Sequence, residues 1–262
     1  MYRSLYTAAS GMNAQQTNLD NVANNLSNAN TAGFRKRRVQ FEDLMYQNMV
    51  TPGAAATQQT VSAGLQIGLG TRAAATEILQ SQGDFQQTGN SLDLAIQGLG
   101  YFQVLTPTGQ IAYTRSGSFH LDSSGNIVTA DGDALQPAIT IPADATAITI
   151  GSDGTVTVTQ PGQTQSQQIG QIQLATFPNP GGLNSVGANL LMPTSSSGDP
   201  IVGNPGGSEG LGTLAQGSLE QSNVNTVEEF IQMILAQRSY EANSQVAKAA
   251  DQMFQEVNQL GK

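Results

Sequence analysis

LYTAASGMNAQQTNLDNVANNLSNA, Leu5 to Ala29, repeats with a period of seven: Leu5, Met12, Leu19 and Leu26 recur at that interval, and Ala8, Val22 and Ala29 fill the alternate steps. This is a helical seam, because a strand would return a side chain to the same face every second residue. The far end of the chain carries a comparable stripe in steps of three and four: Ile231, Leu235, Ala242, Val246, Ala250, Met253, Val257 and Leu260. Single helices with so narrow an apolar stripe are marginal in water, so each needs a partner, either the other helix or the same helices in neighbouring molecules. Thr226-Val227-Glu228-Glu229 reads as a capping box that opens the second helix, with Thr226 as the cap and no Pro or Gly before Gly261. Disorder of residues 1–30 and 222–262 in the free chain, with helix forming on association, is the corresponding expectation.

At about 100° per residue, Asn18, Asn21, Asn25 and Asn28 share the face opposite Leu19 and Leu26. Asparagine is a poor helix former, and an exposed face ordinarily carries Glu, Lys or Gln. Two readings follow. The face is either a solvated polar surface, or a hydrogen-bonding surface that joins amide to amide in a crowded assembly. Asn28-Ala29-Asn30-Thr31-Ala32-Gly33 then ends the helix with turn formers and a glycine suited to a left-handed conformation. The basic cluster Arg35-Lys36-Arg37-Arg38 follows.

Between the helices the period changes to two. Tyr101–Leu105, Ile111–Thr114, Ala147–Ile150, Thr155–Val158 and Ile169–Leu174 alternate, separated by Thr108-Gly109, Ser124-Gly125-Asn126, Asp131-Gly132 and Asp153-Gly154 turns. Residues 178–213, dense in Pro, Gly, Ser and Asn, read as long loops, and 47–63 as an extended arm or loop. The fold class is therefore α+β: long terminal helices forming a coiled-coil-like pair, with an all-β, hairpin-rich domain between them. The expected divisions are 1–45 (first helix and following segment), 46–65 (arm), 66–221 (β domain) and 222–262 (second helix).

Composition narrows function. The 262 residues include no Cys, one His, 5% aromatics and 11% charged side chains. Thiolate metal sites, a Cys nucleophile and disulfides are excluded. The net charge of −9 is carried by the middle: residues 61–221 hold two Lys or Arg against eleven acids, whereas 1–60 are net +2. An acidic middle argues against nucleic acid as a partner, and the single basic run lacks the interleaved aromatics of a nucleic-acid site. No apolar run reaches membrane-spanning length, and Met1–Ser10 lacks the continuous apolar core of a conventional secretion signal, so export would require another route. His120 lies in Ser118-Phe119-His120-Leu121, where an outward polar side chain is the default. The Asp131-Gly132-Asp133 spacing lacks the remaining ligands of an EF-hand, and Gly64, Gly68, Gly70, Gly98 and Gly100 do not have phosphate-loop spacing. No catalytic residue, cofactor site or metal site is expected.

The helical ends also carry specific motifs. Leu19-Asp20-Asn21-Val22-Ala23-Asn24-Asn25-Leu26-Ser27-Asn28, followed by Thr31-Ala32-Gly33-Phe34-Arg35, resembles the N-terminal signature of bacterial flagellar rod and hook proteins. Ser222-Asn223-Val224-Asn225, with Gln237-Arg238-Ser239-Tyr240-Glu241-Ala242-Asn243 and Asp251-Gln252-Met253, is similar to the C-terminal one. The resemblance extends along essentially the whole chain. It departs at Ser27, where Ala is usual, and at Arg35, where Lys is usual. Chain length, Phe41–Leu44 through Gly64–Gly70, and Gln136–Pro142 are most similar to the distal-rod branch, ahead of the proximal-rod and hook branches.

The resemblance implies a structural subunit, exported by the flagellar type III apparatus, that polymerises helically into a stiff hollow shaft. Residues of the inner helices (Leu5, Met12, Leu19, Val22, Asn25, Leu26, Ile231, Leu235, Val246, Met253, Val257, Leu260) would line the tube. The signature residues Asn24, Asn25, Leu26, Thr31, Gly33, Phe34, Asn223, Asn225, Gln237, Arg238, Tyr240 and Glu241 mark the family. Tyr46, Pro52, Gly53, Gly64, Gly68 and Gly70 would belong to an arm packed on neighbouring subunits. Implied partners are further copies of the chain, proximal rod proteins, the hook protein, and the P-ring and L-ring bushings, in a basal body reaching from periplasm to outer membrane without membrane insertion. The alternative from a different class is a β-rich extracellular adhesin or enzyme whose helical ends are trimerisation stalks. Such a protein would close as a discrete trimer, whereas a head-to-tail polymer stays open.

Overall fold

The computed structural model describes residues 2–50, 55–56, 59–60, 64–162, 165–207 and 210–260. By its internal contacts the chain divides into two units, Met1–Ser27 with Arg37–Glu77 and Asn225–Lys262, and Asn28–Lys36 with Ile78–Val224.

The first unit is built on two helices, α1 (Tyr2–Ser27) and α2 (Thr226–Leu260). They run antiparallel: Asn25 of α1 meets Glu229 of α2, and Gly11 lies against Asn243. A methyl group on Gly11 would come within 2.8 Å of the Asn243 side-chain nitrogen, so at this crossing the Asn243 side chain packs directly over the glycine. The buried apolar positions of the seam are small. They are Ala8, Ala14 and Val22 on α1, and Ala236 and Ala250 on α2. Leu5, Met12, Leu19 and Leu26 are half-buried beside them. Capping of α2 differs from the Thr226 expectation. Asn225 is the cap, its side-chain oxygen accepting from the amides of Val227 (3.0 Å) and Glu228 (3.4 Å). Thr226 is thereby the first helical residue, and Glu229 turns away to meet Asn25.

Three strand pairs are described in this unit. Arg37–Asp43 pairs with Thr71–Ile78. Tyr46–Val50 pairs antiparallel with Leu65–Gly68, Tyr46 opposite Gly68. The segment expected as an extended arm is thus a two-stranded ribbon where it is described, with a further short pairing of Ala55–Ala56 with Gln59–Thr60. Pro52 and Gly53 lie outside the described residues.

The second unit is the β domain. Tyr101–Leu105 is its central strand, pairing along one edge with Ile111–Thr114 and along the other with Ala134–Gln136 and then Leu174–Thr176. Being central, it is buried on both faces. Phe102 and Val104 enter a core with Leu94, Ile96, Phe119, Leu135, Val156, Val158 and Ile172. Tyr101 enters a second cluster with Tyr113, Ala175, Phe177 and Leu183. Aromatic edges meet faces in both, Phe102 on Phe119 at 5.1 Å and Tyr113 on Phe177 at 4.8 Å between ring centres.

The hairpins Tyr101–Leu105/Ile111–Thr114 and Ala147–Ile150/Thr155–Thr159 form as their alternation predicts. The expected single strand Ile169–Leu174 does not. Gln167–Gln171 pairs with Thr155–Thr159, and Leu174–Thr176 crosses to the central strand, so Ile172 is fully buried at the break. Residues 178–213 also exceed the loop reading: Asn184–Gly187, Leu190–Met192 and Ile201–Gly203 are strands. Ala188 and Asn189 turn the first two into a hairpin with φ of 52° and 58°.

Candidate assembly site

The residues that distinguish this chain lie in three places: the outer face of α2, the face of α1 that meets the following strand, and the segments joining helices to sheet.

On α2 the fully buried apolar side chains are small, and most of the large ones are exposed. Val227, Phe230, Ile231, Ile234 and Leu235 occupy positions i, i+3, i+4, i+7 and i+8, and all are exposed, Ile231 and Leu235 by 53% and 55%. Val246 and Met253 continue the exposed stripe. Ile231, Leu235, Val246 and Met253, expected to pack either within the chain or against neighbours, therefore stand outside the intrachain seam. Ala236 and Ala250 fill that seam. Val227, Phe230 and Ile234 were not among the expected stripe residues, although their helical spacing beside Ile231 and Leu235 is readable. Val257 and Leu260 lie on α2, with their side chains outside what is described. Gln237 and Arg238 are exposed, Arg238 paired with Glu241 at 3.1 Å one turn on, and Tyr240 is 38% exposed.

The asparagine face of α1 is a hydrogen-bonding surface, but its partner is the backbone of its own chain. Asn25 is buried and fully used: its oxygen accepts from the Arg37 amide (3.0 Å), and its amide donates to the Arg37 carbonyl (2.9 Å) and the Glu229 carboxylate (3.2 Å). Asn21 donates to the same Arg37 carbonyl at 2.8 Å. A strand end must satisfy its backbone groups, and a short rigid amide does this where a charged side chain would lose its hydration. Asn24 is exposed.

Further along α1, Gly70 (φ 120°) approaches so closely that an added methyl would lie 2.1 Å from the Ser10 hydroxyl oxygen. Beside it a groove of about 300 Å³ opens between Tyr6, Ser10, Asn13, Ala14 and Thr17 of α1 and Leu44, Thr71, Arg72 and Ala73. The ribbon exposes Met45 (84%), Tyr46, Met49 and Leu65. Gly68 lies under the Tyr46 ring, and the Tyr46 hydroxyl is held above its ordinary pKa by its hydrogen bond to Asp43. Gly64 is half-buried at the start of the second ribbon strand.

In the β unit the remaining signature residues converge. Gly33 has φ of 71°, and its amide donates to the Glu220 carbonyl (2.8 Å). A side chain there would meet the Ser116 nitrogen at 2.6 Å. Thr31 closes the preceding turn onto Asn28, and the Phe34 carbonyl accepts from the Asn223 amide at 3.4 Å. Glu220, 3% exposed, lies between Arg35 (2.8 Å) and Arg115 (2.6 Å). Arg115 spends further donors on the carbonyls of Ile96, Gly98 and Gly100. Burial lowers the Arg35 pKa and raises that of nearby Tyr101. The basic run noted in the sequence is thus divided. Arg35 is buried against Glu220, whereas Arg38 forms an exposed pair with Glu77 at 2.9 Å, which holds the Glu77 carboxyl below its ordinary range.

His120 is exposed next to fully buried Phe119. Among the described residues no group of three His, Cys, Asp or Glu is placed to hold a metal, and no helix is long and apolar enough to cross a membrane.

Family models match this arrangement in chain order. A flagella basal body rod protein model matches residues 5–35, a flagellar hook protein FlgE/F/G D1 domain model matches 95–158, and a flagellar basal body rod FlgEFG protein C-terminal model matches 215–260. Together they place the chain in the flagellar rod and hook class. The flagellar basal-body rod protein FlgG of Buchnera aphidicola subsp. Schizaphis graminum is 47% identical over 261 residues, covering 99% of this chain and all of the relative. Those of Borreliella burgdorferi and Caulobacter vibrioides are each 46% identical, covering 99% and 98% of this chain and 99% of each relative. The chain belongs to the family of FlgG flagellar basal-body rod proteins. It is a structural subunit of the rod, located in the flagellar basal body.

Proposed function

We propose that the chain polymerises helically into the stiff, hollow distal part of the rod and carries torque to the hook, with no enzymatic role. The observation that carries this reading is the stripe Val227, Phe230, Ile231, Ile234, Leu235, Val246 and Met253, exposed although α2 already has a partner in α1. An apolar face of that extent on a structural subunit fits burial against neighbouring copies, because leaving it in water is costly. Residues 1–45 and 222–262 form the inner tube, 66–221 form the outer domain, and 46–65 form an arm on neighbouring subunits. The exposed Met45, Tyr46, Met49 and Leu65 support the arm assignment. Proximal rod proteins and the hook protein bind the two ends, the P-ring and L-ring surround the shaft, and the flagellar type III apparatus delivers the subunit.

The test is electron microscopy of concentrated protein beside a Leu235→Asp variant. Straight tubes from the parent and none from the variant are expected. A discrete trimer in sedimentation, unchanged by the substitution, would favour the trimeric-stalk reading and sink this one.

A further inference from the structure

The chain passes between its units at four points, between residues 27 and 28, 36 and 37, 77 and 78, and 224 and 225. Three of these points lie next to segments of the β unit that are remote in sequence, 33–36, 79–83 and 220–223. These segments are held to one another mainly by side chains. The Asn223 side-chain oxygen accepts from the Lys36 amide at 2.7 Å. Its amide nitrogen donates to the carbonyls of Leu79 (3.1 Å) and Ser81 (2.9 Å) and meets the Ser81 hydroxyl at 3.0 Å. Glu220 repeats the pattern one turn of chain away. Its carboxylate accepts from Arg35, Arg115 and the Gly83 amide (3.2 Å), while its carbonyl accepts from Gly33. Arg35 also donates to the carbonyls of Gln80 and Ser81.

We infer that Asn223 and Glu220, with Arg35, form one tie that holds these three segments as a single array, so that the signature residues Gly33 and Asn223, together with Arg35, act as positioning residues inside one chain. Two features support this over ordinary loop packing. Each tying side chain reaches at least two segments at once, which a local turn or cap does not do. The Glu220 carboxylate also serves two buried guanidinium groups, so its loss leaves both without their anion. A polar network bonded this extensively favours one arrangement, with the Arg35 Nε and the Gln80 Nε2 beside it buried without a partner. In an axial subunit, the points where the chain leaves the β unit would then be set before any neighbour arrives.

Hydrogen exchange by mass spectrometry on the full-length, unassembled chain tests the inference independently of polymerisation. Asn223→Ala is expected to speed exchange at least tenfold in all three segments, with the Lys36, Leu79 and Asn223 amides reporting them, while Phe102 and Val104 of the central strand are unchanged. Asn223→Asp keeps the acceptor for Lys36 and loses the donors to Leu79 and Ser81, so 79–83 should loosen more than 33–36. That contrast remains readable if the alanine variant fails to fold. Acceleration confined to 222–224, or spread equally into the central strand, would overturn the inference.

Discussion

The Asn25 side-chain amide donates to the Glu229 carboxylate at 3.2 Å from one helix to the other, 204 residues apart in sequence. Both groups are buried, and Asn25 also closes two bonds with Arg37. A buried polar pair in the seam sets register, because any slip leaves it unsatisfied. Asn25→Ala should therefore cost the helix pair about 1–3 kcal/mol, read as a lower helical signal at 222 nm in the free chain. Asn25→Asp, which sets a carboxylate against Glu229, should cost more.

Gly11→Ala would ordinarily stabilise a helix interior by about 1 kcal/mol. Here the methyl meets the Asn243 amide at 2.8 Å. No gain is expected in the single variant, and the gain should appear once Asn243→Ala makes room. A double-mutant cycle on helical melting measures the coupling.

Ile231→Asp should leave the monomer spectrum unchanged, because the side chain is 53% exposed and outside the α1 seam. Assembly should suffer instead. Losing the burial of one large aliphatic side chain, roughly 1.5–3 kcal/mol, raises the critical concentration for polymerisation about tenfold or more, as pelleting assays would show. Because the intrachain seam buries chiefly alanines, helical signal should also rise when the parent polymerises. A full helical signal already present in the dilute monomer would contradict that.

Glu220→Gln keeps volume but removes the anion between Arg35 and Arg115. Breaking a buried pair in this way costs roughly 3–5 kcal/mol, measurable by urea unfolding of the β unit through Tyr fluorescence. Glu77→Gln removes only an exposed pair with Arg38 and should leave the curve in place.

Asp122 and Asp153 are held below the ordinary carboxylate pKa by hydrogen bonds, Asp122 chiefly from the Ser124 amide and Asp153 chiefly from the Thr155 hydroxyl. A folded pKa below the unfolded one contributes stability that is complete above the unfolded value, about 3.9. It is lost as pH falls through the folded value. Thermal stability should be flat near neutrality on account of these groups and decline from about pH 5 downward. In Asp153→Ala the decline should be shallower; an equally steep one would show that the acid sensitivity lies elsewhere.

The sequence alone determined the two helices, the hairpins with Gly-containing turns and the motif order, because a period of seven, a period of two and turn glycines are local properties. It also brought Asn21 and Asn25 to one face. Only the tertiary structure decided what that face meets, since the Arg37 backbone arrives there through a chain reversal that no spacing encodes. The same holds for Ile172, where one alternating run is split between two sheets by the competition of two edges for the same strand. The assembly stripe divides along this line. Apolar spacing placed Ile231 and Leu235 on a helix, but which face of α2 turns inward was settled by what α1 presents to it. Asn25 engages Glu229 and Gly11 lies against Asn243, so Ala236 and Ala250, which share that heptad face, are buried while Ile231 and Leu235 stand exposed.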